Sequence, residues 1–137
     1  MSLVVADSGP VHYLVLCGAI EIIPKLYSQL VIPAAVVQEL TRTHTPPAVR
    51  LWIQTPPQWA TVQTPTQLDP AKNLGLRERE AIALALELKA NQLLIDDRVA
   101  RRMAVRRGLL TAGTVGLMEQ ASANGLLNLS DAMENLL

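Results

Sequence analysis

The sequence predicts an α/β protein: a three-layer α/β/α arrangement on a parallel sheet of about five short strands. Three observations lead there. Short apolar runs rich in Val, Ile and Leu alternate with amphipathic stretches of helical period along the chain. Strands separated by helices pair in parallel through right-handed crossovers. The 137 residues, half of them apolar and 18% charged, suit one packed domain spanning 1–137.

The elements follow in order. Leu3 to Ala6 is a buried strand stopped by Asp7. Ser8 suits an N-cap and Pro10 a first helical turn, so Val11 to Cys17 continues as a helix that Gly18 ends. A short helical piece covers Glu21 to Tyr27, and Leu30 to Ile32 is the second strand. Pro33 opens a helix over Ala34 to Thr41, with Val36, Val37 and Leu40 as its apolar stripe. The proline-rich middle holds a short helix over Ala48 to Gln54, a weak strand over Trp59 to Val62, and a loop from Gln63 to Gly75. Arg77 to Lys89 is rich in strong helix formers. Gln92 to Ile95 is a strand stopped by Asp96 and Asp97, and Asp97 can cap a helix over Arg98 to Arg107. Leu109 and Leu110 read as the fifth strand, Gly113 to Asn124 as a helix, and Ser130 as the cap of a last helix reaching Leu137.

Composition narrows the function. Twelve basic and twelve acidic side chains balance, so nucleic acid is not bound through overall charge, although a local patch remains open. The one cysteine, Cys17, excludes a disulfide framework and a cysteine-based zinc site, and reads as a small buried apolar residue. No segment reaches the roughly 18 apolar residues of a membrane span. The amino terminus carries an acid at Asp7 and no basic start, so a cytoplasmic protein without a signal peptide is expected. With no Phe, two Trp and two Tyr, the chain lacks the rings for stacking bases on an aromatic sheet.

In parallel sheets the ligand site lies beyond the carboxyl ends of the strands. Asp7 and Asp97, with Asp96 beside it, stand there, and Glu39 and Glu80 lie on the helices that follow. Carboxylates gathered at one edge repel each other unless a cation joins them. Hard oxygen ligands select Mg²⁺ or Mn²⁺, which polarise phosphoryl oxygens and acidify a bound water. Each acid also has a plainer reading: Asp7 and Asp97 as helix caps, Glu39 and Glu80 as solvated helix acids.

Four segments occur in order: Val4-Val5-Ala6-Asp7-Ser8-Gly9-Pro10, Ile32 to Leu40 with Glu39, Arg77-Glu78-Arg79-Glu80-Ala81-Ile82-Ala83-Leu84-Ala85, and Leu93-Leu94-Ile95-Asp96-Asp97-Arg98. Together with Thr111 to Gly116 they resemble a PIN domain, of the branch close to VapC-type toxins, over essentially the whole chain. The resemblance implies a Mg²⁺- or Mn²⁺-dependent ribonuclease on an α/β/α sheet, forming homodimers and docking an antitoxin protein. It maps the metal-binding and catalytic acids onto Asp7, Glu39, Glu80 and Asp97, with Ser8, Asp96 and Thr114 around them. Two departures stand out. The third acid is Glu where many relatives use Asp, and Arg77 stands where close relatives often place Gly before the Glu matched by Glu78.

Basic residues concentrate between Arg77 and Arg107, and spacings of three and four put Arg98, Arg102 and Arg106 on one helical stripe beside Asp97. Such a stripe suits an RNA backbone or, equally, a solvated face. His12 follows Asp7 on its helix, and His44 has no identifiable partner. Trp52 and Trp59 read as core or contact residues. No nucleophile elbow and no glycine-rich phosphate loop occurs. Three functions therefore compete: a metal-dependent endoribonuclease acting as the toxin of a toxin–antitoxin pair, a catalytically silent PIN-fold binding module, and an aspartyl-phosphate phosphotransfer domain centred on Asp7. The last lacks a second acid at Gly9 and a Lys closing the fifth strand.

Overall fold

The apolar runs become the strands of one parallel sheet in the computed structural model, which describes residues 2–134. The elements are β1 (Leu3–Ala6), α1 (Ser8–Leu16), α2 (Ile22–Leu26), β2 (Gln29–Pro33), α3 (Ala34–Leu40), α4 (Pro47–Gln54) and β3 (Ala60–Gln63). There follow α5 (Leu76–Glu87), β4 (Gln92–Leu94), α6 (Arg98–Arg106), β5 (Thr111–Ala112), α7 (Thr114–Ala123) and α8 (Leu129–Glu134). The strand order is β3-β2-β1-β4-β5. Register is set by pairs such as Val5 with Val31 on one side of β1 and Val5 with Leu93 on the other.

Strand side chains alternate between two faces, and each face is covered. Val4, Ala6, Leu30, Ile32 and Leu94 pack under Leu14, Val36, Val49, Leu117 and Met118 of the helices on one side. Val5, Val31, Leu93 and Ile95 pack under Ile82, Leu84, Ala85, Ala100 and Ala104 on the other. The result is the predicted three-layer α/β/α order, with Cys17 buried in the first core. Trp52 and Trp59, ring centroids 6.0 Å apart, lie half-buried against that same core.

Three element expectations shift. Asp7 rather than Ser8 stands at the N-cap of α1, and Ser8 is its first residue. The fifth strand is Thr111–Ala112 rather than Leu109 and Leu110. Its ladder is fixed by the Leu93 and Ile95 amides, which donate to the carbonyls of Leu110 and Ala112. The Leu110 side chain is 74% exposed, so its hydrophobicity misplaces the strand by two residues. The last helix starts at Leu129, and Asn128 rather than Ser130 stands at its cap, its Oδ1 accepting from the Asp131 amide at 3.1 Å. The expected continuation to 137 lies outside the described residues.

The loop between β3 and α5 has an anchor that its sequence does not advertise. Buried Asp69 takes two bonds from Arg107, at 2.9 and 3.0 Å, and one from the Ala71 amide at 3.0 Å. The Arg107 guanidinium holds this carboxyl below the ordinary aspartate range. A depressed folded pKa means stability present at neutral pH and lost as the carboxyl protonates. Asp69→Asn is thus expected to lower the melting temperature at neutral pH. The gap to wild type should close below the usual aspartate pKa of about 3.9, as thermal melts across pH will show.

Candidate active site

The chain steps from β1 outward through β2 to β3, then returns to place β4 on the other side of β1. The direction of winding reverses between β1 and β4, and the crevice beyond their carboxyl ends is where such sheets bind ligands. Two acids stand at its two lips. Asp7 follows β1 directly, its amide donating to the Leu94 carbonyl at 2.9 Å. Asp96 comes two residues after β4. The pairing of the strands therefore holds the two carboxylates opposite one another.

Asp7 is only 4% exposed, and its Oδ1 accepts no hydrogen bond. Its pKa rises to about 6, mainly because burial penalises the charge; the Ser8 amide and Arg77 offset part of this, while Glu78 and Asp96 add to it. Asp96 is held firmly. Thr114 donates to it twice at 2.7 Å, from its amide to Oδ1 and from its hydroxyl to Oδ2. Arg101 forks onto the Ile95 carbonyl at 3.3 and 3.2 Å and reaches the Asp96 carbonyl at 3.4 Å, so it fixes the backbone that carries the acid.

Two glycines make room for this carboxylate. A Cβ at Gly9 would lie 2.8 Å from Asp96 Oδ2, and one at Gly113 would lie 2.9 Å from Oδ1 and 2.7 Å from Arg101 Nη2. Neither contact has space to relax without moving the site. Gly113→Ala is expected to cost about 1–3 kcal/mol through overpacking and to swing Asp96 off Thr114. A denaturant melt and the Thr114 amide chemical shift report the two effects.

Two more acids reach the crevice from helices. Glu39 lies late in α3, and Glu78 in the first turn of α5. Arg77 stands among them. Its Nη1 is 3.1 Å from Glu39 Oε1, its Nη2 3.1 Å from Glu78 Oε1, and its Nε 3.9 Å from Asp7 Oδ1. Exposed Arg42 adds a second contact to Glu39 at 3.0 Å. Beside them opens a cleft of about 260 Å³ lined by Gln38, Glu39, Arg42, Leu76, Arg77 and Glu78.

The expected residues distribute unevenly. The structure brings together Asp7 and Glu39, with Ser8 buried beside them and Thr114 bonded to Asp96. Asp97 and Glu80 are each engaged by a backbone amide instead. Asp97 is the exposed N-cap of α6, its Oδ2 accepting from the Ala100 amide at 2.9 Å. Glu80 is buried, and its Oε1 accepts from the Ala35 amide at 3.1 Å, which ties α5 to the start of α3 beside the cleft. Asp96 and Glu78 are the acids whose charges raise the Asp7 pKa. A capping spacing was readable, since Ala100 stands three residues after Asp97 and leaves Asp96 for the sheet edge. Glu78 and Glu80 differ by about 200° around the helix, yet α5 is buried from Glu80 through Ala85, so periodicity does not say which acid faces the crevice. Sequence marks Arg77 only as a departure from its relatives, and no signal marks Arg101.

Around the cluster, His12 lines a small cleft with Ser8, Gly9, Tyr13 and Glu39. Arg98, Arg102 and Arg106 are exposed along α6, while Arg101 turns inward to the site. His44 is exposed on its loop, away from any described partner.

The donor set suits a hard divalent ion in its chemistry: four carboxylates, two hydroxyls, and a buried Asp7 oxygen that lacks a proton donor. Asp7, Glu39, Glu78 and Asp96 are the residues that would hold one. Its present arrangement is looser, for among the described residues no three acidic, His or Cys side chains converge into a ready cage.

An α/β/α sheet with acids at its switch point defines only a broad class of ligand-binding folds. A family model, DUF3368, described as a PIN domain, matches residues 3–137, and the chain belongs to the PIN domain family. PIN domains are typically nucleases and generally use divalent metal ions. The fold is similar to that of a PilT N-terminus domain protein from the hyperthermophilic archaeon Sulfolobus solfataricus P2, with a TM-score of 0.64 and 19% identity. That match covers 87% of this chain and 92% of the other. No curated protein matches the sequence. No helix among the described residues is long and apolar enough to cross a membrane.

Proposed function

We propose that this PIN domain is a metal-dependent endoribonuclease whose site is Asp7, Glu39, Glu78 and Asp96. The carrying observation is the Asp7 Oδ1 atom: buried, without a hydrogen bond, and near enough to Glu78 and Asp96 for both charges to raise its pKa. An acceptor kept dry without a donor is costly to the fold, and a bound cation is the partner that removes the cost. Mg²⁺ or Mn²⁺ would supply a water acidified enough to attack a phosphodiester. The chain's own residues do the positioning. Thr114 and Arg101 fix Asp96, the β1–β4 pairing sets Asp7 against it, and α3 and α5 bring the two glutamates in.

Substrate reaches the crevice along α6, whose exposed Arg98, Arg102 and Arg106 present positive charge to a phosphate backbone. Changing all three to Gln should flatten the log–log salt dependence of single-stranded RNA binding by roughly 0.7 for each phosphate no longer neutralised. An unchanged slope would make the stripe a solvated face. We further infer a cytoplasmic toxin role, with homodimers and an antitoxin partner. Expression should arrest growth, and a small protein encoded immediately upstream should relieve the arrest.

The silent-module reading is favoured by one observation, that Arg77 already contributes a cation to the cluster. Cleavage of a fluorophore-labelled RNA in Mn²⁺ and in EDTA separates the two. Metal-dependent cleavage that Asp7→Asn abolishes supports the nuclease, and RNA binding without cleavage in either buffer supports the module.

A further inference from the structure

We propose that Arg77 is the resident cation of the acidic cluster: its guanidinium pairs with Glu39 and Glu78 beside Asp7 in the metal-free protein and is displaced when a divalent ion binds. The inference rests on the metal-site reading above and deepens it.

Three features place Arg77 in this role. It contacts its neighbour Glu78 at 3.1 Å, Glu39 of α3 at 3.1 Å and Asp7 after β1 at 3.9 Å, so its fork spans the cluster rather than pairing with one acid. It does so at the second position of α5, whose amino-terminal end carries positive partial charge and repels a cation. Only the carboxylates explain its being held there. The third feature is Asp7, whose side chain is 6% exposed and whose Oδ1 faces Arg77 Nε yet accepts no hydrogen bond. The guanidinium thus offsets part of the charge of this oxygen without a hydrogen bond to it, and the oxygen keeps a free coordination position.

An arginine keeps its charge at any working pH, so the site can exchange cations only if the side chain moves. Its path is open. The Arg77 side chain is one-third exposed and borders the cleft it shares with Gln38 and Arg42. Both glutamates are paired with a guanidinium, Glu39 with Arg77 and Arg42, Glu78 with Arg77.

The test is Mn²⁺ binding by calorimetry to the full chain and to Arg77→Gln, with melting temperatures in EDTA. Removing the competitor should tighten Mn²⁺ roughly tenfold. The variant should melt below wild type in EDTA, and Mn²⁺ should restore it. If both chains bind Mn²⁺ equally, or the variant binds more weakly, Arg77 is not a competitor and this proposal fails while the metal site stands. If neither binds, the metal-site reading fails and the proposal with it. Should Arg77→Gln not fold, the wild-type Arg77 Nε–H resonance decides: movement that saturates with added Mg²⁺ supports displacement, and a resonance unmoved at saturating Mg²⁺ overturns it.

Discussion

Asp7→Asn is expected to abolish RNA cleavage, by more than about a hundredfold, and at the same time to make the metal-free protein more stable. The second effect distinguishes a site acid from a structural one. Burial holds the folded pKa of Asp7 at about 6 against an ordinary value of 3.8. A raised folded pKa means that the folded chain binds the proton more tightly than the unfolded chain. The associated stability is fully present below the unfolded value and is lost as pH rises through the folded one. In EDTA, wild-type stability should therefore decline between about pH 4 and pH 6.5, while the Asn variant, which carries no charge there, stays level. The rise from 3.8 to about 6 sets a ceiling of about 3 kcal/mol on the gain above pH 7. At about 3 °C per kcal/mol for a chain of this size, the melting temperature should rise by several degrees. Coincident curves at acid pH and separated curves at neutral pH are the expected pattern. A variant that melts below wild type at neutral pH would show that the Asp7 charge stabilises the fold.

The second large effect separates two adjacent residues. Asp96→Asn should reduce cleavage by more than about a hundredfold, because its carboxylate faces Asp7 and is aligned by both Thr114 donors. Asp97→Ala should leave cleavage nearly intact and cost about 1 kcal/mol, because it removes the Ala100 cap from an exposed helix start. The glutamates of α5 divide similarly. Glu78→Gln belongs with the activity losses. Glu80→Gln belongs with the stability losses, since a buried carboxylate bonded to the Ala35 amide joins two helices there. Kinetics and melts on these variants give four independent readings of one arrangement. Equal losses of activity at Asp96 and Asp97 would mean that the site extends around the α6 cap.

The layers were legible because strand and helix periods differ and each strand run ends at a polar stop. Val4 to Asp7 and Leu93 to Asp96 carry enough β-branched and leucine character that their parallel pairing needed no other cue. The fifth strand was displaced because Leu109 and Leu110 are more apolar than the Thr111–Ala112 pair that enters the ladder. Two acids of the proposed site were legible. Asp7 and Glu39 follow from strand ends and the Pro33 helix start, whereas the choices of Glu78 over Glu80 and Asp96 over Asp97 turn on which neighbour a backbone amide engages. Arg77 was not legible as a counter-ion. Its role exists only where residues 7, 39 and 78 meet, and no local pattern in the chain encodes that meeting.

We propose that the four carboxylates at the switch point hold the ion that makes this PIN domain a nuclease. A crystal soaked in Mn²⁺ and measured at the manganese edge locates that ion directly. The expected result is an anomalous peak between Asp7 and Asp96, about 2.0–2.3 Å from their oxygens, with Glu39 or Glu78 turned toward it. A peak at Glu80 or Asp97, or an unbroken Arg77 fork with no peak in the crevice at saturating Mn²⁺, would contradict it.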